Sequence, residues 1–142
     1  MASLSRSALR EHIFKIVFSS EFRKEEEAAG YVGLYTDSIA DEKDEPLEIK
    51  DEDAAYIREK SERIILMLPE IDEMISQYAK GWSSSRIGKA EMAILRLAIY
   101  EILYDEDIPQ NVAINEAVEL AKKYGDEQAP GFVNGILSSV VK

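Results

Sequence analysis

Apolar residues recur at helical spacing along most of the chain, and no stretch shows the strict alternation of a half-buried strand. In residues 3–27, Leu9, Ile13, Ile16 and Val17 form one stripe. Phe14, Phe18 and Phe22 form a neighbouring stripe, which Arg6 and Arg10 continue toward the N-terminus. Ser3 or Ser5 supplies a cap, and Gly30 and Gly33 weaken the helix beyond. The next helix is predicted over residues 52–68, with Asp51 as its cap and Ala54, Ile57, Ile64, Ile65 and Leu68 buried. Pro69 either breaks that pattern or opens a new helix at its first position. Ile71, Met74, Ile75 and Tyr78 give the stripe that follows, and Gly81 ends it.

Residues 89–104 form the most apolar helix. Ala90, Ala93, Ile94, Leu97 and Ala98 mark one face, and Met92, Leu95, Ile99, Ile102 and Leu103 cover much of the rest. A helix apolar nearly all round lies at the centre of its bundle. Arg96 and Glu101 interrupt it, and internal pairing that holds two bundles together is the expected role for them. Residues 112–124 are helical, Gly125 is a C-terminal cap, and Pro130 opens a last helix carrying Phe132, Val133, Ile136, Leu137 and Val140. The product is an all-α fold, about seven helices in two small packed bundles. They form one domain over residues 1–142, with subdomains over about 1–80 and 81–142.

Composition narrows the function. The 142 residues are 46% apolar and 32% charged, the balance of a globular domain. There is no cysteine, which removes thiol nucleophiles, disulfide frameworks and Cys-ligated metals. No apolar run approaches the ~18 residues of a membrane span. Arg6, Arg10, Glu11 and His12 interrupt any signal-peptide core, so a cytoplasmic protein is expected. The net charge of −11 taken alone argues against nucleic acid, but the acidity is concentrated. Residues 1–24 carry +3, residues 25–53 carry −10 and the remainder −4. Screening over ~8 Å makes the local basic segment, not the total, decide contact with a polyanion.

Catalytic constellations are missing. His12 has no Glu at metal-binding spacing, and residues 41–53 lack the central Gly of a calcium loop. Gly88-Lys89 fails as a phosphate loop, because position 83 is Ser and Ala90 follows the lysine. Nothing singles out a carboxylate pair among the 28 acidic residues. No cofactor and no metal are expected.

Three blocks of the C-terminal third are more specific. They are Leu95-Arg96-Leu97-Ala98 running on to Tyr100-Glu101, the segment Ile108-Pro109 to Lys122, and Phe132-Val133-Asn134-Gly135. Together they resemble the NusB transcription antitermination factors of bacteria, and Arg6 to Arg10 with Ile16 to Phe18 match more loosely. The resemblance implies two small helical bundles and a non-enzymatic, RNA-binding factor. It implies pairing with NusE, a small ribosomal-subunit protein, on the boxA element of nascent ribosomal RNA, in the service of RNA polymerase.

Carried over residue by residue, the resemblance assigns RNA contacts to Arg6 and Arg10, with Lys15 as a weaker candidate, and to Phe132. Arginines at i and i+4 share a helix face, and guanidinium forks suit phosphates and splayed bases. Ala129, Pro130 and Gly131 stand where basic or polar residues often precede the Phe, which shifts the burden to backbone N–H groups at the helix start. Glu91 is assigned to the NusE contact. Some members self-associate, and a homodimer here would use the Phe14–Phe18–Phe22 stripe. Two other readings compete with RNA binding. One is a protein-interaction helical module with weak or no RNA affinity. The other is the helical front domain of an rRNA cytosine methyltransferase, for which this chain lacks a Gly-rich cofactor loop and a cysteine.

Overall fold

The computed structural model describes residues 4–21, 49–79 and 87–141. Phe22, Gly81, the end of the first predicted helix and most of the acidic segment 25–53 lie outside the described residues. Six helices are seen: α1 Arg6–Ser20, α2 Asp51–Leu66, α3 Leu68–Tyr78, α4 Lys89–Tyr104, α5 Gln110–Tyr124 and α6 Ala129–Val140. Among the described residues there is no strand, and no helix is long and apolar enough to cross a membrane. The chain divides into two compact units, Met1–Leu66 and Met67–Lys142. The division falls at the break before Pro69, so α3 belongs with the second unit and not with the first.

In the first unit α1 packs on α2. Ser5 caps α1, its Oγ accepting from Ala8 N–H at 3.0 Å. Ile13, Ile16 and Val17 are fully buried, as the spacing predicts, and so are Ile57 and Ile64 of α2. Phe14 is buried too, 6.1 Å from the ring of Phe18. The aromatic stripe is therefore core at Phe14 and is not a free dimerisation face there. Asp51 is the first helical residue rather than a cap. The carboxylate that does cross-chain work is Asp53, which accepts from Leu4 N–H at 3.0 Å and ties the N-terminus to α2.

In the second unit α4 is the hub, touching α3, α5 and α6, while α5 and α6 also pack together. Every residue from Ala93 to Ile102 is buried. Arg96 is only 7% exposed and forms a two-pronged pair with Asp72, Nε to Oδ1 at 2.8 Å and Nη2 to Oδ2 at 2.9 Å. The pair ties α3 to α4 inside the second unit. Both of its residues lie C-terminal to the division at Leu66. Two parallel bonds fix the rotation of α3 on α4 more firmly than apolar contact alone.

Candidate nucleic-acid interface

The basic residues of α1 do not form one surface. Arg6 is exposed because it sits on the first helical residue, before the core begins. Arg10 lies one turn further along the same stripe, and that stripe runs into buried Phe14. Its side chain is consequently drawn inward, and the residue is 5% exposed. Lys15 is exposed, but at about 100° per residue it is roughly half a turn out of phase with Arg6. Arg6 and Lys15 thus face opposite sides of α1.

The second unit brings two other predicted residues together. Glu91 stands in the first turn of α4, three residues after Gly88, the residue that precedes the helix. Phe132 stands in the first turn of α6, half-buried. Both line one cavity of about 190 Å³, with Ile87, Gly88, Asp126, Gln128 and Ala129 completing its wall. The Glu91 carboxylate lies against Gly88 and Gly125. A Cβ on Gly88 would run into that group. A Cβ on Gly125 would overlap the Ala129 methyl and stand 2.9 Å from both the Ala121 carbonyl oxygen and Glu91 Oε1. Gly125 is therefore selected for space, its backbone being extended at φ −98°.

Asp126 closes the far side. Its Oδ1 accepts from Gln128 N–H and Ala129 N–H, both at 2.9 Å, and so satisfies the first donors of α6. Pro130, the next residue, has no N–H. Two of the backbone donors that sequence reasoning offered to a phosphate, those of Gln128 and Ala129, are thus already engaged, which leaves the Gly131 N–H as the donor of the first turn not held by Asp126. The cavity has the opposite character. Two carboxylates, the Gln128 amide and an aromatic face suit a flat group that carries N–H donors, and they disfavour a phosphate. The volume lies below the roughly 300–1,000 Å³ of small-molecule sites and matches a single ring or side chain.

Asp126, Gln128 and Gly88 were missed as site residues by sequence reasoning. The signal for Asp126 was present, since an Asp in the connector ahead of a helix readily accepts from backbone N–H groups two and three residues on. The shared position of Glu91 and Phe132 had no local signal, because 40 residues separate them.

The chain matches the NusB family over residues 7–142. It belongs to the NusB family. A relative from Agathobacter rectalis, transcription antitermination protein NusB, is 42% identical over 95% of this chain and 98% of its own length. The protein of the same name from Acetivibrio thermocellus is 41% identical over 98% of this chain and 90% of its own. Among solved structures, NusB of T. maritima superposes with a TM-score of 0.83 at 35% identity, covering 99% of this chain and 92% of that one. A chain in a crystal structure of a plectonemic RNA supercoil gives a TM-score of 0.75 at 25% identity, over 95% and 92% of the two chains. The NusB architecture thus spans both units, and the Glu91–Phe132 cavity sits within the matched region.

Proposed function

We propose that this NusB-family chain is a cytoplasmic, non-enzymatic RNA-binding antitermination factor that pairs with NusE on boxA of nascent ribosomal transcripts. The cavity shared by Phe132 and Glu91 is the main support. An unstacked base placed on the Phe132 ring has the Glu91 carboxylate within the same cavity to accept from its edge N–H groups, as cytosine N4 or the guanine edge offers. Arg6 supplies a phosphate contact from the start of α1, and Lys15 serves a separate stretch of RNA or none. Arg10 holds α1 in place from within. The nearest support from a relative is the RNA-containing crystal structure, whose protein chain shares this fold.

A single exposed arginine on α1, on a molecule of net charge −11, gives weak affinity alone, so the basic partner supplies much of the binding. Fluorescence anisotropy with boxA RNA, with and without NusE, tests this. Phe132→Ala and Glu91→Gln should each weaken boxA binding by about tenfold with little change in salt slope, since each removes about 1–3 kcal/mol of base contact. Arg6→Ala should lower the slope by about 1. The alternative, a protein-interaction module without RNA affinity, draws support from the burial of Arg10. It is favoured if NusE binds and boxA adds nothing.

A further inference from the structure

The carboxyl end of α4, like those of α1, α3 and α6, has no cation in its last turn, and it alone runs straight into three acidic residues. Helices α2 and α5 carry cations in their last turns, Arg63 in one, Lys122 and Lys123 in the other. Such cations offset the negative pole of a helix. The last turn of α4 has none, and Asp105, Glu106 and Asp107 follow it directly, Glu106 and Asp107 both exposed. Negative side chains therefore add to a negative helix end.

The same turn exposes apolar surface. Leu103 is 40% exposed and Tyr104 43%, adjacent in sequence. The Tyr104 ring is backed by buried Tyr100, centroids 5.9 Å apart, which holds one side and leaves a firm aromatic platform. Among the described residues no group of three acidic or histidine side chains is placed to hold a metal ion. A polyanion is repelled. What fits an exposed phenol ring beside two exposed carboxylates is a guanidinium, which stacks on the ring and forks onto a carboxylate.

We propose that the carboxyl end of α4, built from Leu103, Tyr104, Glu106 and Asp107, is the docking surface for an arginine-bearing segment of a basic protein. An arginine of that segment lies on Tyr104 and reaches Glu106 or Asp107, and an apolar neighbour covers Leu103. The surface stands about 20 Å along α4 from Glu91, so the two ends of one helix take different ligands. Where the partner is NusE, the inference rests on the pairing proposed above and moves its contact away from Glu91.

Two titrations test it with the full chain. In the first, the 15N-labelled protein receives a capped Arg-Val-Arg-Val-Arg peptide or its lysine counterpart. Saturable shifts should concentrate in the amides of residues 101–108, with the arginine peptide at least about threefold tighter because only its planar group stacks. Leu103→Ser with Tyr104→Ser should abolish them. In the second, NusE affinity should fall about tenfold, equivalent to about 1.4 kcal/mol, in that double variant and in Glu106→Lys with Asp107→Lys. The charge-reversed variant should melt no lower than wild type, since it relieves the helix end. Stability kept while affinity falls is a split that a purely structural role would not give. Peptide shifts scattered over the acidic surface would overturn the proposal, and so would NusE affinity within about twofold of wild type in both variants. If NusE fails to bind the wild-type chain while the peptide maps to residues 101–108, the docking surface stands and the NusE pairing falls.

Discussion

Arg6 and Arg10 are one turn apart, yet they should respond to truncation in opposite ways. Arg10→Ala removes two methylenes from a residue that is 5% exposed, at about 0.8 kcal/mol each. It also removes the buried guanidinium and whatever hydrogen bonding satisfies it, about 1.5–3 kcal/mol, offset in part because the charge no longer has to be desolvated. A net loss of about 2–3 kcal/mol follows, which for a chain of this size lowers Tm by roughly 6–12 °C. Arg10→Met keeps the stem and should lose only about half as much. Arg6→Ala is a surface change and should stay within about 0.5 kcal/mol of wild type. Circular dichroism melts give the stabilities. Anisotropy at several salt concentrations, run well below every Tm, gives the RNA slopes. Arg6→Ala should lose slope without stability, and folded Arg10→Ala should lose stability without slope. If Arg10→Ala melted with wild type and its salt slope fell by about 1, the guanidinium would be reaching RNA, and the internal role assigned to it would be refuted.

Three further changes follow from the second unit. Asp126→Ala should cost about 0.5–2 kcal/mol by freeing the two N–H groups it now holds, read as a lower urea midpoint, whereas Asp126→Asn should recover most of that. Gly125→Ala should destabilise by more than about 1 kcal/mol despite a permissible φ, because the new methyl overlaps the Ala129 methyl and meets the Ala121 carbonyl, and thermal melting checks it. Asp72→Ala should cost about 1–3 kcal/mol, below the full value for a buried pair because the Asp72 side chain is 39% exposed, with protection from hydrogen exchange lost first in α3.

Much of this architecture was legible because helices advertise themselves through periodicity. The run from Ala93 to Ile102 reads as a central helix from its composition, and it is buried throughout. Ser5, Pro69 and Gly125 mark their helix ends by local chemistry that needs no tertiary information. Arg10 shows where that legibility stops. Its spacing from Arg6 suggests a shared basic face, but the same spacing places it on the Phe14 stripe, and only packing decides which membership prevails. Asp51 was read as a cap but is the first helical residue, and the carboxylate that binds another segment, Asp53, does so through Leu4, 49 residues away, which no local pattern announces. Arg96 was read correctly as internally paired, but its partner was out of reach of the sequence because Asp72 lies on another helix. The cavity is of the same kind, since Glu91 and Phe132 meet only after α4 and α6 have packed.

The seat of Glu91 between Gly88 and Gly125 couples those three positions in space. A side chain at 88 needs only the Glu91 carboxylate to swing aside, whereas one at 125 also meets the Ala129 methyl and the Ala121 carbonyl, which no change at 91 removes. Measured as a thermodynamic cycle, Gly125→Ala with Glu91→Ala should be less harmful than the two single costs combined, with the Ala129 methyl and the Ala121 carbonyl setting the part that compensation does not reach.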